Sequence, residues 1–543
     1  MNAGRGGRRP NRQPTRWQSF SNGSFRAGHP VGVWGCCGFY ASGRLRFCRR
    51  HWPMVEVWKQ TAGTDYERIF NPKKIAIVGV SQEGIGFGAG IFNSLRLIGF
   101  EGQIFLVNPK GGSLNGETIH RSVEAIPGDI DFAIIAVVAR AVPEVLDACR
   151  RKGAAGAEIF SSGFKELGTE EGLALEREIV AAAAKGIRVI GPNCFGIYCP
   201  KSGLTVLPGP DLSRETGPVA FSSQSGGMAV DFANAGKSVG LKFSKVVSFG
   251  NGADLREAEL LEYFRDDPET GIIAMYIEGI QDGDRFFAAL KRTSAKKPVI
   301  VNKGGLSAAG SRAVRSHTAS MGGRREIWHS ILRQANAVQV GDMSEMVQAC
   351  LAFTLLPARS FRNVTVVGGG GALGVAAADL AEIHGVQIPA FADSLARRID
   401  DLLPRPGSSP GNPVDVANPF VPPKTLKEIL RLAATDERID LQIFTSLIHH
   451  YKNMAKMLGK PIKEVTPYRE LADVFREVMA DTGKPIVVIL SNPKSGLDHL
   501  DVVEMFADAR HAFIERGIPV FGSLKEGLRA LEHVNIYYER KRS

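Results

Sequence analysis

The least ordinary stretch of this chain is KGGLSAAGSRAVRSHTASMGG, residues 303–323, where Gly, Ala, Ser, two Arg and one Lys surround a single imidazole, His317. An imidazole near its unperturbed pKa is partly neutral at neutral pH, so a ring nitrogen can attack phosphorus. Phosphoryl transfer asks mainly for positioning and charge stabilisation, which helix N-termini supply. The small residues predict a loop that follows the strand PVIVNK and brings the ring close to other backbones. A second candidate is Glu278, which follows the apolar run IIAMYI. A carboxylate there can accept the second ring N–H of a histidine and fix its tautomer. Taken alone, an isolated surface histidine and a solvated acid at a strand end would look the same.

Three glycine-rich junctions could hold phosphate. The first runs through Gly79, Gly84, Gly86, Gly88 and Gly90. It lies between a strand and a helix, so backbone N–H groups and a helix N-terminus can face an anion. Its spacing is not GxGxxG. The next strand ends in Asn108, Pro109 and Lys110, where an NAD site wants an acid on the ribose. A lysine suits a phosphorylated ribose such as that of coenzyme A, and an NAD-dependent dehydrogenase is disfavoured. The second junction is SSQSGG, with Ser223, Gln224, Ser225, Gly226 and Gly227; the third is GGGGALG, with Gly369, Gly370 and Gly371. A tight turn or a plain helix cap explains any one of them. Three in one chain suggest a protein that handles phosphate at several places.

These residues need elements to hold them. KKIAIVGV, QIFLVN, IDFAIIAVV, AAGAEIF and GIRVIG read as apolar strands alternating with helical stretches, the pattern of βαβ units around a parallel sheet. Continuous apolar runs fit strands covered on both faces. The expected class is α/β: a Rossmann-like first domain followed by two flavodoxin-like domains. Boundaries are expected at 65–200, 215–358 and 362–535. His449 and His450, beyond LQIFTSL, have no acidic or cysteine partner nearby and read as structural or surface residues.

At 543 residues, the chain has room for about three domains of ordinary size. Its net charge of +11 is misleading, because residues 1–53 hold ten Arg and no acid, leaving +1 for the rest. A nucleic-acid partner is therefore not indicated. No run of about 20 apolar residues suggests a membrane span. The seven cysteines show no CxxC spacing, so neither a metal site nor a disulfide framework is expected. A reduced, cytoplasmic setting fits best. The segment 1–53 is read as an upstream extension, disordered or not native to the product, with Met54 as the start. A transit peptide is the competing reading of its Arg-rich, acid-free composition.

The stretches IAIVGVS, FLVNPK, GPNCFG, FSSQSGG, YIEGI, KGGLSAAGSRAVRSHT and GNPVDV occur in an order that resembles the ADP-forming acetate/acyl-CoA ligases, and more distantly succinyl-CoA synthetase. The resemblance spans about 65–535. It implies a CoA-binding first domain, with Gly79, Ser81, Gly84, Gly86, Gly88, Asn108, Pro109, Lys110 and Asn193 toward the cofactor. It implies that His317 carries the phosphoryl group and that Glu278 contacts it. Residues 223–227 and 369–371 become the two helix ends that cradle the phosphohistidine.

The implied reaction interconverts acyl-CoA, phosphate and ADP with acid, CoA and ATP through an acyl phosphate. Nothing here resembles an ATP-grasp domain, so a separate ATP-grasp subunit is expected to hold ADP/ATP and Mg in a hetero-oligomer. One departure stands out: Ala319 follows SHT where the family has Gly. A non-catalytic CoA-binding regulatory protein is the alternative reading.

Overall fold

The computed structural model describes residues 63–206, 212–318, 324–494 and 496–542, with backbone alone at 315–318. The expectations for residues 1–53 and for Ala319 lie outside these residues, as does the side chain of His317.

Three sheets succeed one another along the chain. The first has the order Gly112–Leu114, Glu117–His120, Gln103–Val107, Lys74–Val78, Phe132–Ile135, Gly156–Ile159, Arg188–Ile190. Only its edge strand Gly112–Leu114 pairs antiparallel. The connection reverses direction between Lys74–Val78 and Phe132–Ile135, so a crevice opens at the carboxyl ends of these two neighbours. Strand KIAIV is buried from Ile75 to Val78, as a strand covered on both faces must be.

The second sheet has the order Val338–Val340, Val299–Lys303, Ile272–Ile277, Thr216–Ser223, Phe243–Ser248, Gly196–Cys199, Leu204–Thr205. Its last two strands run antiparallel, so the chain already enters this sheet at Gly196. Arg188 grips Asp254 through both guanidinium arms, at 2.8 and 2.9 Å, and ties the edge of the first sheet to the second. The third sheet is wholly parallel: Val414–Asp415, Val364–Gly368, Leu441–Leu447, Ile486–Ser491, Val520–Phe521. The terminal helix Leu524–Arg542 crosses back onto the second unit. There Asn535 exchanges two hydrogen bonds with the backbone of Phe361, at 2.7 and 2.8 Å, and the Tyr537 hydroxyl donates to Ser294 O at 2.8 Å.

One segment differs from the sequence expectation. Residues Ala308–Thr318, read as loop, form a helix. Alanine is the best helix former, and Ser307 starts the helix by accepting from Gly310 N at 3.0 Å. The glycines that suggested a loop lie at its entry, where Gly305 adopts φ +75°. Among the described residues no helix is long and apolar enough to cross a membrane.

Candidate functional site

The first glycine turn is built by close approach. Gly79 has φ +105°, and a Cβ there would stand 2.3 Å from Ala136 O on the neighbouring strand's exit. A Cβ on Gly88 would meet Gly79 O at 2.6 Å. Only glycine lets the helix Phe87–Ile98 sit so near the strand end. Gly86 precedes that helix and no side chain caps it, so its first N–H groups are open to an anion. Gly84 closes the turn by donating to Ser81 O at 3.2 Å. The Ser81 hydroxyl donates to Glu83, a bond that holds the Glu83 carboxyl below its usual range. Asn108 folds the chain around Pro109: its Oδ1 accepts from Lys110 N at 3.0 Å, leaving the Lys110 side chain exposed. Asn193 has φ +55° and donates its N–H to Ser161 O at 2.9 Å, which sets the turn at the opposite side of the same sheet edge.

The second turn is tied to Glu278. Ser223, Ile277 and Lys303 end three adjacent parallel strands, with Tyr276 one residue before its strand's end, in the registers Ser223↔Tyr276 and Ile277↔Lys303. The loops that leave these strands therefore gather at one edge of the sheet. Ser225 caps the helix Gly226–Ser238 by accepting from Met228 N at 3.4 Å, and Ser223 Oγ accepts from Ser225 N at 3.1 Å. Gln224 turns away from the helix axis. Its Oε1 accepts from Glu278 N and from Gly279 N, the latter at 2.9 Å, and its Nε2 donates to Gly279 O at 2.9 Å. The Tyr276 hydroxyl donates to Glu278 Oε1 at 3.2 Å. Gln224 and Glu278 are both buried.

Lys303 completes the group. Its ammonium donates to Glu278 O at 2.8 Å and to Gly304 O, and it lies 5.0 Å from the centre of the Trp328 ring. Burial lowers its pKa to about 8, against the opposing pull of Glu278. The helix Ala308–Thr318, whose last turn includes His317, rests against the turn Lys165–Leu167 of the first unit. That helix follows the strand end whose Lys303 ammonium holds Glu278 O.

The third turn stands on its own sheet. Gly370 has φ +107°, and its N–H donates to Asp415 Oδ1 at 2.9 Å; the same oxygen accepts from Ala417 N at 2.7 Å. A cavity of about 340 Å³ is lined by Gly370, Gly371, Asp415 and Thr445. A neighbouring one of about 210 Å³ is lined by Gly369, Asn418, Ser446 and His450.

Tyr276, Lys303 and Asp415 were not singled out from sequence. Tyrosine and lysine in apolar strands read as packing, and only register reveals their shared edge. His450, expected as a structural or surface residue, lines a wall beside the third glycine turn. Cys194 is no nucleophile here: burial, then Glu158, push its thiol well up, so it stays protonated.

A family model described as CoA binding domain matches residues 73–200, and one described as succinyl-CoA ligase like flavodoxin domain matches 216–353. Acetate–CoA ligase [ADP-forming] I subunit alpha of Pyrococcus furiosus is 34% identical over 86% of this chain and 96% of its own length. Acetate–CoA ligase [ADP-forming] I of Archaeoglobus fulgidus is 36% identical over 77% of this chain, which spans 61% of that protein. Among solved structures, the dinucleotide forming acetyl-coenzyme A synthetase 1 of Ca. Korarchaeum cryptofilum, in complex with phosphate and ADP, superposes with a TM-score of 0.74 at 29% identity. That match covers 88% of this chain and 98% of the other.

Proposed function

This chain belongs to the ADP-forming acetate/acyl-CoA ligases, and from that premise we propose that it is the CoA-binding, phosphohistidine-carrying subunit, with His317 as the carrier. It is an NDP-forming acyl-CoA synthetase subunit, with a CoA-binding domain followed by succinyl-CoA ligase-like flavodoxin domains. The alternative of a non-catalytic regulatory CoA-binding protein is not favoured, since the relatives are ligases. The observation that carries the proposal is the Gln224 clamp. It fixes a helix N-terminus and Glu278 to each other beside Lys303, the residue that ends the strand from which the chain runs on into the helix that includes His317.

Coenzyme A fits the first turn. An uncapped helix start, glycines that admit close approach and the exposed Lys110 suit its phosphates. The exposed Ile85 and Phe87 beside them suit its apolar arm. In the proposed sequence, phosphate attacks the thioester carbonyl, the C–S bond breaks, and CoA leaves as the thiol after taking a proton. A neutral His317 nitrogen then attacks the phosphorus of the acyl phosphate, and the carboxylate leaves with the electrons of the P–O bond. Glu278 accepts the other ring N–H and stabilises the charge on the ring. The Ser225–Gly227 helix start offers N–H groups to the phosphoryl oxygens. ADP finally takes the phosphoryl group, on a partner subunit of ATP-grasp type that also holds Mg. The Gly369–Gly371 turn is the second cradle.

The test is to incubate the chain with phosphate and a panel of acyl-CoA thioesters and to look for acid-labile, base-stable phosphate on the protein. Label on the parent and none on His317→Ala is expected. Absence of label with every thioester, even with an ATP-grasp partner and ATP present, would overturn the proposal.

A further inference from the structure

We infer that Phe195 sets the size of the acyl group, standing at the end of an aromatic strip along which the arm of an acyl-CoA runs from the first glycine turn to the helix start at Gly226. The inference rests on the proposed roles of those two turns.

Three rings make the strip. Phe87 opens the helix behind the glycine turn, and its ring centre lies 5.4 Å from that of Phe160. Phe160 leaves the strand Gly156–Ile159 and stacks on Phe195 at 5.5 Å. Phe195 reaches the second turn, since a Cβ on Gly226 would stand 2.9 Å from its ring. The strip therefore joins the helix start proposed for CoA to the one proposed for phosphate. These are the two places an acyl-CoA must touch if its thioester is to meet phosphate.

The strip is also bordered by uncovered apolar surface. Ile85, Phe87 and Val138 are 77%, 70% and 76% exposed, on the segments that follow two adjacent strands of the first sheet. Large exposed apolar side chains at a switch point mark a ligand surface. A flexible, largely uncharged arm ending in an acyl group has the matching chemistry.

Phe195, unlike the exposed Phe87, is held. Its backbone N–H donates to Ser248 Oγ at 3.1 Å, and its ring packs against the core of the second unit. It cannot swing aside as an exposed ring can. Space next to the phosphate helix is thus capped by a fixed aromatic wall, and an acyl chain must end before it. A pocket wall of this kind discriminates by about 10-fold or more per methylene.

Calorimetric titration of the full chain with CoA, acetyl-CoA and hexanoyl-CoA tests this. Phe195→Leu is expected to shift the hexanoyl-to-acetyl affinity ratio toward hexanoyl by ~10-fold or more, leaving CoA itself nearly unchanged. Phe195→Trp is expected to shift it the other way, and decides the matter if the leucine variant fails to fold. Phe87→Ala is expected to weaken all three ligands by one common factor. An unchanged ratio in the folded Phe195 variants, with CoA still bound, would overturn the inference and leave the proposed function standing. A parent chain that binds neither CoA nor any thioester would overturn both.

Discussion

Gln224 and Gly279 are bonded to each other twice, amide to backbone, at 2.9 Å in each direction. The same Gln224 oxygen also accepts from Glu278 N. A residue that reads as a phosphate ligand in SSQSGG thus spends its side chain on the strand end that carries Glu278. Its role is to hold the helix start and the carboxylate at a fixed separation, leaving backbone N–H groups for the anion.

Gln224→Met keeps the volume and removes the clamp. Two buried N–H groups and one carbonyl lose their partner, which is expected to cost about 2–4 kcal/mol of stability. Misplacing Glu278 against the helix start is expected to slow phosphorylation of the chain by ~10²-fold. Thermal unfolding and the initial rate of phosphate labelling check the two effects separately.

Glu278→Gln retains shape and still accepts from the Tyr276 hydroxyl. An amide cannot stabilise a charged imidazole ring, so labelling of His317 is expected to fall by ~10²–10⁴-fold. The melting temperature is expected to stay within a few degrees. A labelling rate equal to the parent's would remove Glu278 from the reaction.

Lys303 gives a pH signature. Its pKa is about 8 in the folded chain and 10.5 unperturbed, so between these values the unfolded chain binds more protons. Stability therefore rises as pH increases through this window, by about 1–2 kcal/mol once solvent screening is discounted. Lys303→Met is expected to lose this rise. Denaturant unfolding of parent and variant at about pH 7.5 and about pH 10, near the two ends of the window, measures it; parallel curves would contradict the assignment.

Asp415→Ala frees the Gly370 N–H and unties the third glycine turn. If that turn cradles the phosphohistidine for delivery, labelling by acyl-CoA and phosphate is expected to persist. Discharge of the label to ADP in the presence of the partner is expected to slow by ~10-fold or more. Equal loss in both halves of the reaction would instead place Asp415 in the fold alone.

Much of this protein was legible before any coordinates. Apolar runs alternating with helical stretches announced parallel sheets, because strands covered on both faces cannot alternate in polarity. Glycine at strand-to-helix junctions announced close approach, because only a residue without Cβ admits a neighbour so near. Gly79 against Ala136 O and Gly226 against Phe195 show that packing. The helical state of 308–318 was obscured by glycines at its edge, although its alanines and Ser307 carried the signal.

Tertiary structure alone decided which residues share an edge. Tyr276 and Lys303 lie on strands whose register sets their common end, with Glu278 just past the end of one, and register depends on partners remote in sequence. Phe87, Phe160 and Phe195 are more than a hundred positions apart from first to last, yet they form one strip because three loops leave the same side of a sheet. Local sequence fixes what a turn can bind, since that follows from backbone freedom and side-chain chemistry. Which turns face one another, and what stands between them, follows from strand order, and that emerges only when the whole chain folds.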